Sequence, residues 1–162
     1  MKSFKQKLLS GEIAGMIREA TKGEQIDNPE ILFNVLKPYF AAGEQDREQF
    51  VCLFLDAKNK LIAMETMFSG TLCASYVHTR EIIKKVFYHQ AAAIIIAHNH
   101  PSGDSTPSNE DRAITKKIML ACRSVDVTLH EHIVIGGSTS YSFADSGEII
   151  RYKNAADSVL EI

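Results

Sequence analysis

Ala91-Ala92-Ala93-Ile94-Ile95-Ile96-Ala97-His98-Asn99-His100-Pro101-Ser102-Gly103 is an apolar run that stops abruptly at a His-Asn-His triplet and a turn. An unbroken series of small and β-branched apolar residues from Ala91 to Ala97 predicts a strand buried on both faces. His98 is then expected to emerge where that core strand ends. His98 and His100 stand two positions apart, so an extended backbone turns both imidazoles to one side, with Cα atoms about 6.8 Å apart. One cation can bridge such a pair.

A third ligand has to come from another element, because a strand end offers a single line of side chains. From Ser108 to about Ser124, Ile114, Ile118, Ala121, Cys122 and Val125 recur at helical spacing and define a core-facing stripe. Asp111 falls on that stripe, three positions before Ile114. A carboxylate on an inward face is costly unless it is paired, so it is expected either to hold a cation or to sit at the helix mouth among backbone donors. Ser108 followed by Asp111 also has the spacing of a helix N-cap with a short capping box. The Pro- and Gly-containing loop between the histidines and the helix is long enough to return Asp111 to the strand end. Two imidazoles, a carboxylate and an open fourth position form the ligand set of a hydrolytic metal centre.

The pattern His98-X-His100, seven intervening residues, then Ser108-X-X-Asp111 resembles the JAMM (JAB/MPN-type) metalloprotease signature, and more narrowly the RadC-like proteins. The block His98 to Asp104, the Pro107-Ser108 pair, Phe54-Leu55-Asp56, and the later His132 to Gly136 with Ser142-Phe143 carry this likeness from about Pro29 to Tyr152. The resemblance implies an α/β fold of the α+β-like, cytidine-deaminase-like JAB/MPN kind, with a central mixed sheet flanked by helices in one domain. It implies one Zn2+ ion held by His98, His100 and Asp111, Ser108 steadying the carbonyl oxygen, and Glu48 as general base. From the residues alone, Glu44, Asp46 and Glu48 compete for that last role, and only the resemblance selects Glu48. The chain is similar to the family at Glu131-His132 except that RadC-like proteins usually have Asp-His there, so a contact behind the metal ligands is expected to change if that acid orients one of them.

These expectations add up to a zinc-dependent, metallopeptidase-type hydrolase acting on an amide or isopeptide bond of a peptide or protein substrate. Two alternatives remain: a non-catalytic RadC-type recruitment module in DNA repair or recombination, and another metal-dependent hydrolase. With a formal charge of −2 over 162 residues and a pI near 6.3, no broad basic footprint favours nucleic acid as a partner. Longer RadC-like proteins carry an N-terminal helix-hairpin-helix module, for which residues 1–27 are too short. Residues 1–27 are expected to form an extension, and 28–162 the RadC-like domain.

No apolar stretch approaches a membrane span, and Met1 to Lys7 is followed by too short a hydrophobic segment for a secretory signal, so a cytoplasmic location without membrane partners is expected. Cys52, Cys73 and Cys122 are odd in number and set in apolar segments, which argues for core thiols without a disulfide framework.

Around the motif, Asn28-Pro29 reads as a cap and first turn of a helix bearing Ile31, Leu32, Val35, Leu36, Tyr39 and Phe40 on one face, with Pro38 expected to end or kink it. Phe50 to Leu55 and Leu61 to Phe68 read as strands joined by a turn at Asp56 to Lys60, and Thr79 to Gln90 as an amphipathic helix. Val127 to Ile135 reads as extended, Gly136-Gly137 as a turn, and Ser140 to Phe143 as a short strand. His130 and His132 alternate like a second ligand pair, but with no acid at matching helical spacing they are expected to be strand histidines bonded to neighbours.

Overall fold

The centre of the molecule is the strand Ala93–Asn99, here β3, whose even-numbered and odd-numbered side chains enter two different cores. In the computed structural model, which describes residues 21–23, 25–26, 29–43, 46–70 and 77–162, it lies in the middle of a five-stranded mixed sheet of order β2-β1-β3-β4-β5. The other strands are β1 (Glu48–Leu55), β2 (Leu61–Gly70), β4 (Thr128–Gly136) and β5 (Thr139–Ser142). Pairing is antiparallel except between β3 and β4, which run parallel and are linked through a helix. That linkage is what a parallel neighbour demands. Four helices flank the sheet: α1 (Pro29–Ala41), α2 (Thr79–His89), α3 (Asn109–Arg123) and α4 (Glu148–Leu160).

The period-two geometry of the strands divides the cores. Val51, Leu53, Leu55, Ala93, Ile95, Ala97, Ile133 and Ile135 pack with Leu32, Val35, Leu36, Tyr39 and Phe40 of α1. On the opposite face, Phe50, Cys52, Phe54, Ile94, Ile96 and Val134 meet Ile82 and Val86 of α2, Ile114 and Ile118 of α3, and Tyr152 and Ala156 of α4. Each isoleucine of β3 is buried, and each such burial stabilises the fold by about 1.5–3 kcal/mol. His98 continues the second series, so the same alternation that buries Ile94 and Ile96 delivers its imidazole beneath the sheet, toward α3.

Several sequence boundaries shift. β3 starts at Ala93 and continues through Asn99. His98 is therefore an interior strand residue with no exposed surface, whereas Ala91 and Ala92 form the approach to the strand, bonded through their N–H groups to Val86 and Leu55 carbonyls. Pro38 does not end α1, which runs on to Ala41. The turn between β1 and β2 is closed by Asp56, whose Oδ1 accepts from the N–H groups of Lys58 and Lys60. Cys52 and Cys122 are buried and free, and burial pushes the Cys122 thiol up to about 12, so neither is poised as a nucleophile. Asn28, Glu44 and Cys73 lie outside the described residues, as do residues 1–20. Among the described residues no helix is long and apolar enough to cross a membrane.

The sequence reading assigns no element after Phe143, yet α4 packs on α3 there. Its buried positions are Glu148, Tyr152 and Ala156, one per turn, so the inward stripe holds a carboxylate and a phenol while Ile150 and Val159 face out. Hydrophobic periodicity cannot reveal such a helix. The Glu148 carboxylate accepts from Arg112 Nε, Tyr141 Oη, Tyr152 Oη and Arg151, joining α4, α3 and β5. Burial opposes ionisation of Glu148, but hydrogen bonds from the two tyrosines and Arg112 outweigh it and lower its pKa. Glu148→Ala is expected to lower the unfolding free energy by about 2 kcal/mol, read from urea midpoints. A carboxylate with a depressed folded pKa contributes stability that is present above its unfolded value of 4.5 and is lost as pH falls through the folded one. The gap between Glu148→Gln and the original protein should therefore narrow on acidification below that value.

Candidate metal centre

Three side chains, from β3, from the loop just past its end and from α3, converge where the end of β3 meets the first turn of α3. His98 Nε2 and His100 Nε2 are 2.9 Å apart, Asp111 Oδ1 lies 3.2 Å from His98 Nε2, and Asp111 Oδ2 lies 3.5 Å from His100 Nε2. With metal–ligand bonds of about 2.0–2.1 Å, the edge of a tetrahedron around zinc is about 3.3 Å. Each pairwise contact is close to that spacing, and with one ligand atom per residue all lying within 4.8 Å of one another, His98, His100 and Asp111 could hold a metal ion. His98 and Asp111 are buried and His100 is half-buried, leaving one side of the triangle toward solvent.

Each donor is held from behind. His100 Nδ1 donates to the backbone carbonyl of Asp104 at 2.7 Å, and a carbonyl accepts only, so the neutral ring keeps its lone pair on Nε2. The Asp104 side chain closes a turn, its Oδ1 accepting from Thr106 N. That loop is pressed against β4 at Gly136. A Cβ there would stand 2.4 Å from Ser105 N and 2.7 Å from the Gly103 carbonyl oxygen, both backbone atoms, so only glycine permits the approach.

Asp111 sits at the third position of α3 and completes the capping box: Ser108 Oγ accepts from Asp111 N, and Asp111 Oδ2 accepts from Ser108 N at 2.7 Å. The capping carboxylate is also the one that faces the two histidines. Burial would raise its pKa, but the neighbouring His100 and His98 rings and the Ser108 N–H hold it far below the ordinary range. In return Asp111 pushes the His100 pKa up against burial, with the Asp104 carbonyl and the Glu48 carboxylate adding to the effect. Arg112 fixes the helix mouth by donating to the Pro107 carbonyl while paired with Glu148.

His98 is backed by residues that the ligand pattern does not include. Its Nδ1 is 2.9 Å from His132 Nε2 on β4, and His132 Nδ1 is 2.6 Å from Thr115 Oγ1 on α3. Phe50 lies parallel to the His98 ring and Phe143 to the His132 ring. His132 is fully buried, which lowers its pKa well below the usual value and keeps the ring neutral. The strand-histidine reading thus holds for His132, and for His130, whose Nε2 meets Asn59 Oδ1. Glu131 does not reach a ring: its carboxylate accepts from the backbone N–H groups of His132 and Ala144 and from Ser142 Oγ, tying β4 to the turn after β5.

Glu48 opens β1, on the same sheet face as Phe50 by strand alternation, and Phe50 pairs with His98. One alternation earlier, Glu48 comes alongside His100, consistent with its influence on that ring. Asn99 secures this strand entrance, accepting from Gln49 N through Oδ1 and donating to the Arg47 carbonyl through Nδ2. The middle residue of the His-Asn-His triplet therefore has a bracing role, and Asp46 stays exposed at the strand entrance. Ser108 is exposed at the mouth of α3, its oxygen accepting from Asp111 N, which leaves the hydroxyl proton available for donation.

The model of the RadC-like JAB domain matches residues 26–148, which include every residue of this arrangement. The chain belongs to the RadC-like JAB domain family. It is 47% identical over 102 residues to the UPF0758 protein YfjY of Escherichia coli K12, a match covering 63% of this chain and 64% of that one. It is 48% identical over 102 residues to YeeS of the same strain, covering 63% and 69%. A UPF0758 protein of Actinobacillus pleuropneumoniae serotype 5b is 42% identical over 135 residues, 79% of this chain and 61% of that one. The matched stretch thus spans about two thirds of these relatives, whose names state no activity.

Gly136→Ala is expected to cost about 1–3 kcal/mol of stability by overpacking backbone against backbone. Because it pushes the Asp104 carbonyl away from His100, it should also weaken divalent-ion binding, as measured by calorimetric titration of the folded variant.

Proposed function

We propose that this RadC-like JAB domain, taken as residues 28–162, is a zinc-dependent hydrolase that cleaves amide or isopeptide bonds in peptide or protein substrates. The convergence of two imidazole nitrogens and a carboxylate at tetrahedral spacing, open on one side, is the observation that carries this reading. The donor set fits zinc, which takes His and Asp ligands and keeps a fourth position for water in hydrolytic sites. When bound there, such an ion supplies acidified water and polarises a substrate carbonyl.

The remaining chemistry belongs to side chains of the chain itself. Glu48, beside His100, takes the proton of the attacking water and passes it to the leaving nitrogen, so that a poor amine leaving group departs neutral. Ser108 donates its hydroxyl proton to the carbonyl oxygen as that oxygen gains negative charge. Its acceptance from Asp111 N orients it for that donation. The neighbours of Asp111 favour its carboxylate form over the acid.

Zinc-loaded protein incubated with a peptide and isopeptide library should release new termini, and chelation should abolish this release. Glu48→Gln is expected to retain zinc and lose about 10²–10⁴-fold in kcat. Asp111→Ala should lose zinc affinity, and Ser108→Ala should lower kcat by about 10²-fold while leaving zinc bound. Hydrolysis indifferent both to chelator and to Glu48→Gln would overturn the proposal. Steeply salt-dependent DNA binding without any hydrolysis would point instead to recruitment.

A further inference from the structure

We infer that His132 and Thr115 are positioning residues: their hydrogen-bond relay fixes the ring proton of His98 on Nδ1 and so presents its Nε2 lone pair to the cation position. The inference rests on reading His98 as a metal ligand, and it concerns two residues outside the ligand set.

The relay has only one consistent direction. Its far end is the Asp111 backbone carbonyl, which can only accept, and Thr115 Oγ1 stands 2.5 Å from it. The single hydroxyl proton of Thr115 is therefore spent on that carbonyl. Toward His132 Nδ1, 2.6 Å away, Thr115 can then only accept, so the His132 ring proton sits on Nδ1. Among the described residues no carboxylate meets the His132 ring, and a neutral imidazole protonated on Nδ1 offers a lone pair at Nε2. His98 Nδ1, 2.9 Å from that lone pair, must be the donor. What remains on His98 is an unprotonated Nε2, the atom that lies 3.2 Å from Asp111 and 2.9 Å from His100.

A threonine bonded to the carbonyl four residues earlier is common in helices and by itself proves nothing. Here the same hydroxyl is also buried against a buried histidine, and the chain of bonds leads from one ligand back to the backbone of another. The two histidine ligands thus have separate devices. His100, on the half-exposed loop, is set by one carbonyl, while His98 Nδ1, inside the sheet, meets His132 rather than a carbonyl among the described residues and is set through two intervening side chains. Parallel stacking of Phe50 and Phe143 confines both rings to planes in which these bonds can form.

The test begins with metal-free protein labelled with 15N-histidine, at about pH 9, where exposed imidazoles are neutral. Long-range 1H–15N spectra should show His98 protonated on Nδ1. Thr115→Val, which keeps the shape and removes the acceptor, should give His98 and His132 a mixture of tautomers and weaken zinc binding by about 10–100-fold. Thr115→Ser should restore both. His132→Gln, whose amide can accept from His98 and donate to Thr115, should keep zinc affinity closer to the original than His132→Leu does.

A His98 ring protonated on Nε2 in the unsubstituted protein would overturn the inference, whatever the stability of the variants. So would a folded Thr115→Val protein with unchanged tautomers and unchanged zinc affinity. If the unsubstituted protein shows the Nδ1–H form and binds no zinc, the proposed metal centre fails while the relay stands, so the two readings fail separately.

Discussion

Two imidazole nitrogens and a carboxylate held within hydrogen-bond reach of one another, largely out of water, form an arrangement that only a positive charge can satisfy. Lone pairs facing lone pairs at 2.9–3.5 Å repel unless a proton or a cation stands between them. Asp111 and His100 favour each other's charged forms, which is why the Asp111 pKa moves down and the His100 pKa moves up. Much of the surrounding structure keeps the three groups from relaxing away from each other: β3 rigid between two cores, α3 capped through the same Asp111, and the 103–105 loop pressed on Gly136.

The convergence of His98, His100 and Asp111 was legible in the sequence because each part of it follows a local rule. Strand alternation places His98 and His100 on one side, and helix periodicity places Asp111 on the face of Ile114. The apolar run identified a strand buried on both faces, and the prolines and glycines of the 101–107 segment marked the return loop. The helix cap and the ligand looked like competing readings of Ser108-X-X-Asp111, yet the one carboxylate caps the helix through Oδ2 on Ser108 N and turns Oδ1 toward His98.

Less local relations were harder to read. Thr115 is a polar residue on an apolar stripe four positions after Asp111, a signal that becomes meaningful only once His132 is known to face it across β4. Asn99 looked like the spacer of a His-X-His pair, but alternation sends it to the other face, where it braces the residues beside Glu48. Helix α4 escaped because its buried stripe begins with Glu148, which is stabilised by partners on α3 and β5 that no window along the chain can display. Glu48 itself could be chosen among neighbouring acids only by family likeness. Its relation to the ligands is set by the register between β1 and β3.

Because Asp111 both caps α3 and faces the two histidines, a cation held there would be coupled to the helix. An N-terminal turn favours a negative group, since its unpaired N–H groups carry partial positive charge. A cation placed directly on the helix axis would oppose that dipole, but Asp111 reaches sideways toward β3 while Ser108 closes the turn. The carboxylate can therefore keep Oδ2 on the Ser108 N–H while Oδ1 faces His98, without uncapping the helix. Arg112, fastened to both Pro107 and Glu148, resists the displacement that any change of charge at the site would impose on this turn. The remote α4 thereby helps determine the position of a carboxylate it never touches.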